Sequence, residues 1–392
     1  MITVEEAFEL VKNNVIPTQI SMLCKATNAL GFVLAEDVIS PINMPPFRQS
    51  AMDGYALNIH EDSSYKIIDE VKAGDDHHPL LKTGESVRIF TGSAVPDTAN
   101  TVIMQEKVKQ NKNQLQLNNP AILNENIRPK GEQIKEGDIA LKKGTKLTPA
   151  AIGFLLTLGI IKVTVFKKPK IGVVTTGNEL IKAGQPLTYG KIYESNSGML
   201  YAGLLSLGYT DATLYKVKDD YNSTVTTLDK AISESDVVLI TGGISVGDYD
   251  FVGKALLELG TEQVFYIVKQ KPGKPLFFGK IKNKPVFALP GNPASALSSF
   301  YVYVYPSLER LSGNLNFSIN NGVAILRGEY LKKGDRAQFL KAYHKNGEVS
   351  ILEGQSSAML YTFAIANAFI YIPGEVCKYS KGDLVTVIHL PV

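Results

Sequence analysis

Three stretches of this chain place glycines among hydroxyl, amide and carboxylate side chains at the end of an apolar run. They are Thr175-Thr-Gly-Asn-Glu-Leu180, Thr241-Gly-Gly-Ile-Ser-Val-Gly-Asp-Tyr-Asp250 and Ala288-Leu-Pro-Gly-Asn-Pro-Ala-Ser295. A glycine lets backbone N–H groups close on an anion with no Cβ in the way, and a helix starting there adds its own free N–H groups. One such loop is an ordinary turn. Three, each following a strand-like run where open α/β sheets bind ligands, predict a pocket for a phosphorylated ligand. Its candidate binding residues are Thr176, Gly177, Gly242, Gly243, Ser245, Gly247, Pro290, Gly291, Asn292, Pro293 and Ser295. The sequence has no G-x-x-x-x-G-K-[ST], and Gly242-Gly-Ile-Ser-Val-Gly247 lacks G-x-G-x-x-G spacing, so neither standard nucleotide site is present.

Charged residues cluster near the same loops. Glu179, Asp219, Asp248 and Asp250 fall at predicted loop edges on the ligand side. A hard cation such as Mg²⁺ takes oxygen ligands and needs only one or two carboxylates when phosphate supplies the rest. The competing structural roles are helix capping for Asp248 and Asp250 and a solvated charge for Glu179. The functional reading is taken for Glu179 and Asp250, while for Asp219 the two stand level. Lys271-Pro-Gly-Lys-Pro275 sets two ammonium groups around a rigid turn, and lysine suits phosphate as a point charge. The histidines (His60, His77, His78, His344, His389) lack metal-ligand spacing, and neither H-E-x-x-H nor G-x-S-x-G occurs, so a zinc site and a hydrolase elbow are not expected. Ser50-Ala-Met-Asp-Gly-Tyr-Ala56 and Phe90-Thr-Gly-Ser-Ala-Val-Pro96 are, by themselves, turn signals.

The elements that must position these residues follow from periodicity. Thr3 and Glu6 have capping-box spacing ahead of a helix to about Asn13. A short helix-to-strand passage is expected over Leu30 to Ile39, and Pro41, Pro45 and Pro46 then mark a boundary. Between 54 and 120, short apolar segments such as Ser86-Val-Arg-Ile-Phe and Thr101-Val-Ile-Met, with a hairpin turn at Asn111-Lys-Asn, predict a small β domain. Thr148-Pro149 starts a helix, and Ile152 to Phe166 is expected to be a buried helix running into a strand. From Lys170 strands and helices alternate, the strands nearly all apolar, which predicts a parallel sheet covered on both faces. Ile281-Lys-Asn-Lys-Pro-Val is a hairpin and Ala294 to Leu311 a closing helix. After residue 312 only short β segments follow, a second β domain closed as a barrel.

The 392 residues, 44% of them hydrophobic, call for several domains. A net charge of +3 offers no global field for nucleic acid or an anionic membrane. The start is acidic, unlike a signal peptide, and the longest apolar stretch is too short and too charged to span a bilayer. The two cysteines, Cys24 and Cys377, form no C-x-x-C pair and are expected to be small buried residues.

Taken in order, Ser50–Ala56, Phe90-Thr-Gly92, Ile127-Arg-Pro-Lys-Gly-Glu132, Thr176–Leu180, Thr241–Gly247 with Asp250, Lys271–Pro275 and Leu289–Ser295 resemble the molybdopterin molybdotransferase family, which includes the bacterial MoeA proteins and the C-terminal domain of gephyrin. The resemblance spans essentially the whole chain. It implies a multidomain α/β protein: an elongated mixed domain (1–40 plus 125–168), a small β domain (41–124), a central doubly wound parallel-sheet domain (169–312) and a C-terminal β-barrel (313–392). It also implies a cytoplasmic homodimer, with Asp53 and Thr91 on the partner side of the active-site cleft. The implied reaction inserts molybdate into adenylated molybdopterin with Mg²⁺ and releases AMP. A molybdopterin adenylyltransferase would hand over the substrate, and apo-molybdoenzymes or their chaperones would receive the product. Glu179, Asp219 and Asp250 would hold ligand, with Glu179 and Asp250 on the metal. Lys271 and Lys274 would contact phosphate or molybdate, and Arg336 and Ser357 are carried over on a looser match. Gln133 stands where the family commonly has Asp, and Ile267 where some members have Lys. Three alternatives stay open: an adenylyltransferase, a gephyrin-like scaffold and a preference for tungsten.

Overall fold

In the computed structural model, residues 1–244 and 251–391 are described. The chain opens on helix α1, Val4–Asn14. Its start is the expected capping box: the Thr3 hydroxyl accepts from Glu6 N (3.1 Å) and the Glu6 carboxylate from Thr3 N (2.7 Å). Val4, Ala7 and Val11 form the buried stripe. The chain groups into two compact units. One holds Met1–Met22, Gly31–Ala35 and Val165–Val392; the other holds Leu23–Leu30 and Glu36–Thr164.

The second unit carries a six-stranded mixed sheet. Its strands are β1 (Gly54–Leu57), β2 (Ser64–Val71), β3 (Glu85–Ile89), β4 (Thr101–Met104), β5 (Val108–Asn111) and β6 (Gln114–Leu117), in spatial order β4-β1-β3-β2-β6-β5. Successive residues of β1 enter different cores, Ala56 one cluster and Tyr55 and Leu57 another. The hairpin between β5 and β6 turns on Lys112, at φ 53°. Helix α2, Pro149–Thr157, is capped by the Thr148 hydroxyl as expected, yet Leu155 is its one buried residue, and Leu156 and Ile161 stay exposed. Its apolar side chains point all round the axis, and a helix can lay only one side against a neighbour. Over Leu30 to Ile39 the helical turn falls earlier, at Ala26–Asn28, and the strand is only Val38–Ile39. Neither cysteine is buried: Cys24 is half-buried and Cys377 exposed.

The first unit contains the expected α/β sheet. Its elements in chain order are β7 (Ile171–Thr176), α3 (Asn196–Ser206), β8 (Ala212–Val217), α4 (Tyr221–Glu234), β9 (Val237–Thr241), α5 (Phe251–Glu258), β10 (Glu262–Ile267), β11 (Pro275–Ile281), β12 (Lys284–Leu289), α6 (Pro293–Ser299) and α7 (Tyr305–Leu311). The spatial order is β8-β7-β9-β12-β11-β10. The first four strands are parallel, and β11 and β10 add an antiparallel edge. The reversal follows from the two-residue turn Lys282-Asn283, at φ 48° and 65°, which returns the chain at once and leaves no length for a crossover. Ile171, Val173, Val237 and Leu239 enter one core with α1, α3 and α6. Val174, Val238 and Ile240 enter the other with α4 and α5. That alternation between two apolar faces is why the strands read as continuous hydrophobic runs. A π-helical segment, Phe300–Val304, joins α6 to α7.

Five strands of the C-terminal region form one sheet: β13 (Asn321–Leu326), β14 (Ala337–Lys345), β15 (Glu348–Ile351), β16 (Ala368–Ile372) and β17 (Leu384–His389). They pair in the order β14-β15-β13-β17-β16, and β16 pairs back onto β14, closing a barrel. Its interior is filled by Leu326, Leu340, Val349, Ile370 and Val385, among others.

Candidate active site

The chain leaves β7 and returns to the sheet on one side as β8 and on the other as β9, so the topological switch lies between β7 and β9. A cavity of about 930 Å³ opens at the C-terminal ends of these strands and of β12. The loop after β7 contributes Thr176, Gly177 and Glu179; the loop after β8, Asp219; the loop after β9, Gly242 and Gly243; and the loop after β12, Pro290, Gly291, Asn292, Pro293 and Ser295. Lys271 and Lys274 line it from the segment before β11, and Arg336 and Ser357 from the barrel region. Sequence reasoning assigned all of these. Ser245, Gly247, Asp248 and Asp250 lie outside the described residues.

Backbone approach explains one glycine directly. At Gly242, φ is +91°, and a Cβ would stand 2.3 Å from the Thr176 carbonyl oxygen. Only glycine lets the loops after β7 and β9 touch there.

The carboxylates divide by what already holds them. Asp219 Oδ1 accepts a short hydrogen bond from the Thr176 hydroxyl, and Oδ2 accepts from Asn178 N at 3.0 Å. Asp219 N in turn donates to Asn178 Oδ1 at 3.1 Å. Asp219 therefore ties the β7 and β8 loops together, and both its oxygens have partners. Glu194, a lining residue that sequence reasoning missed, accepts from Ser197 N (2.8 Å) and from the Ser197 hydroxyl at the start of α3. It fills the anion position of that helix N-terminus. Glu179 is exposed at the cavity and has no such partner among the described residues.

On the cationic side, Gln270–Lys271 pairs parallel with Ala337–Gln338, which carries Arg336 toward the lysine turn. The Gln270 amide donates to the Gly273 carbonyl (3.0 Å) and accepts from the buried Tyr303 hydroxyl (2.5 Å). Lys269 is drawn away to Asp335 at 2.6 Å and is absent from the lining, as is Ile267. Ser357 is held by Asn292 Nδ2, which donates to its hydroxyl at 3.1 Å, and by Ala294 N, which donates to its carbonyl at 3.1 Å. Behind it, buried Lys341 donates to the carbonyls of Gly354 (2.7 Å) and Met359 (2.8 Å). Burial holds its ammonium below the usual lysine range. Ser357 and Arg336 lack a strong local signal because pairing between distant segments places them.

Asp53 and Thr91 belong to the other compact unit, where the structure brings them together. Thr91 donates its backbone N–H (2.7 Å) and its hydroxyl (2.8 Å) to Asp53 Oδ1. These bonds, with the Arg88 guanidinium nearby, hold the carboxyl below its usual range. Thr91→Val removes the hydroxyl donor and keeps the amide, so the Asp53 pKa is expected to rise toward the ordinary aspartate range. Because the folded pKa is lowered, the associated stabilisation is complete above the unfolded pKa and is lost as pH falls through the folded one. In Thr91→Val the folded pKa lies closer to the unfolded one, so that loss is smaller and is complete at higher pH. Carboxyl NMR titration of both proteins checks this, and superimposable Asp53 curves would contradict it. Gln133 is exposed and is not among the residues lining the cavity.

Fold and site together define a multidomain α/β protein with a lysine- and arginine-lined pocket at the switch point of a doubly wound sheet. Residues 2–159 match the model of the MoeA N-terminal region (domain I and II), residues 172–310 that of a probable molybdopterin binding domain, and residues 323–390 that of the MoeA C-terminal region (domain IV). A molybdopterin molybdenumtransferase of Haemophilus influenzae is 34% identical over 99% of this chain and 98% of its own length. One from Staphylococcus aureus strain COL is 31% identical over 92% and 89%. The solved molybdopterin biosynthesis moeA protein of Pyrococcus horikoshii OT3 superposes with a TM-score of 0.86 at 32% identity, covering 100% of both chains. The chain belongs to the molybdopterin molybdenumtransferase family, transferases of molybdenum cofactor biosynthesis. Among the described residues, no helix is long and apolar enough to cross a membrane.

Proposed function

We propose that the protein inserts molybdenum from molybdate into adenylated molybdopterin, releasing AMP, and that this cavity is where it does so. The observation that carries the reading is the shared lining: Lys271, Lys274 and Arg336 line the same cavity as Glu179 and the glycine-rich strand ends. A phosphoanhydride breaks when charge on the leaving phosphate is neutralised and the attacking oxygen is positioned. The lysines and arginine supply positive charge, and molybdate, as substrate, supplies the oxygen.

Mg²⁺ belongs to the same proposal. Among the described residues no group of three His, Cys, Asp or Glu side chains could hold a metal by itself. That fits a cation completed by substrate phosphate oxygens, since Mg²⁺ is commonly held by one or two carboxylates. Among the described residues, Glu179 is the cavity carboxylate left available, Asp219 and Glu194 being engaged with protein donors. When bound, Mg²⁺ would neutralise phosphate charge. Asp219 orients the β7 loop that carries Glu179. We further read the protein as a cytoplasmic homodimer in which Asp53 and Thr91 serve the reaction of the other copy. A molybdopterin adenylyltransferase would deliver the substrate, and apo-molybdoenzymes or their chaperones would accept the product.

An adenylyltransferase would need only the sheet domain, whereas the family match also covers residues 2–159 and 323–390. The test is to incubate the protein with adenylated molybdopterin and Mg²⁺ and follow AMP release with and without molybdate. Molybdate-dependent release, with product that reactivates an apo-molybdoenzyme, is the expected result. Tight pterin binding without release would replace it with a scaffold role.

A further inference from the structure

Five buried side-chain polar atoms have no hydrogen-bond partner among the described residues: Ser93 Oγ, Thr175 Oγ1, Asn196 Oδ1, Thr261 Oγ1 and Ser299 Oγ. Thr175 and Asn196 both line the cavity. Buried polar groups are almost always paired, and two exceptions in one cavity call for a physical reason.

The two residues share one patch. Thr175 and Thr241 are register partners on β7 and β9. They lie on the face that Val173 and Leu239 also use, because side chains alternate along a strand. Asn196, the first residue of α3, donates from Nδ2 to Thr241 Oγ1 (2.7 Å) and to the Gly291 carbonyl (2.8 Å). Those two bonds fix the amide. Flipping it would turn its oxygen onto the Gly291 carbonyl, an acceptor against an acceptor. Asn196 Oδ1 is therefore an acceptor held in a known orientation with no donor among the described residues, and the Thr175 hydroxyl can donate or accept.

We infer that Thr175 and Asn196 form a neutral recognition floor that reads a donor-and-acceptor edge of the substrate, separate from the cationic side that takes its anions. This rests on the proposed reaction and divides the cavity between two chemistries. Molybdate and phosphate are oxyanions with no N–H to offer at neutral pH, and a fixed carbonyl oxygen repels them. A heteroaromatic amide or amidine edge offers an N–H beside an acceptor. In adenylated molybdopterin such an edge occurs on the pterin and on the adenine, and the same experiment tells them apart.

Thr175→Val is the discriminating variant. It keeps the shape and removes a hydroxyl that has no hydrogen-bond partner among the described residues. A purely structural Thr175 therefore predicts an unchanged or higher Tm and unchanged ligand affinities. The proposal predicts an unchanged or higher Tm with the Kd for either molybdopterin or AMP raised about tenfold, from the loss of one buried hydrogen bond. The Kd for molybdate should stay put. Binding of molybdopterin, AMP and molybdate would be measured separately on the dimeric or monomeric protein as purified. A selective loss for molybdopterin assigns the floor to the pterin, and one for AMP assigns it to the adenine. Unchanged affinity for both, or an equal loss for molybdate, would overturn the inference while the transferase reading stands. Wild-type protein that binds neither molybdopterin nor AMP would overturn that reading and this floor with it.

Discussion

Replacing Lys271 and Lys274 together by Met is expected to lower molybdate-dependent AMP release by about 10³-fold or more, with each single change costing on the order of 10²-fold. Met keeps the apolar stem and removes the charge. Both lysines line the cavity from a short turn whose backbone is held by Gln270 and, through it, by Tyr303. Among the described residues no carboxylate pairs with either ammonium, so neither serves as a structural ion pair. Exposed lysines contribute little to stability, and the melting temperature should move little. If the lysines hold the oxyanion in the transition state, kcat falls along with kcat/KM; if they only gather molybdate, KM rises at constant kcat. Near-normal turnover in the double variant would remove the anion side of the proposed site.

Glu179→Gln is expected to reduce AMP release about 10²-fold and to shift the Mg²⁺ requirement upward. The amide has the carboxylate's size and none of its charge. A Cβ on Gly177 would stand 2.7 Å from Leu180 Cδ1 and 2.9 Å from Glu179 Oε2, so glycine there leaves room for both side chains. The exposure of Glu179 also suits a solvated surface charge. The two roles separate in a Mg²⁺ titration. A solvated charge predicts the same half-saturating concentration in both proteins, and a metal ligand predicts a higher one for the variant. Asp219→Asn should behave differently. Its carboxylate braces Thr176 and Asn178, so lower thermal stability would accompany any loss of turnover.

Local elements were legible because their causes are local. Thr3 and Glu6 form their capping box within one turn. The strands Thr101–Met104, Ala368–Ile372 and Leu384–His389 fall where short apolar runs between turn residues placed them. The same holds for the glycine-rich loops, the second as far as Ile244, because a strand end next to a glycine marks itself. Where burial depends on remote neighbours, the reading failed: Cys377 is exposed and α2 buries only Leu155.

By itself, then, the sequence determined the alternation of strands and helices, the two β-rich regions and the anionic and cationic residue types that meet at the site, all consequences of side-chain period and turn chemistry. Only the tertiary structure decided which of those residues share a cavity and which are already engaged. Arg336 arrives there because Gln270–Lys271 pairs with β14, and Asp219 has both carboxylate oxygens occupied by the β7 loop. Asn196 was hidden within a helix start, and its oxygen, unpartnered among the described residues, has a fixed direction only because Thr241 and Gly291, 45 and 95 residues away in sequence, take both amide hydrogens. Hydrogen-bond saturation is a property of neighbours in space, and no spacing along the chain records it.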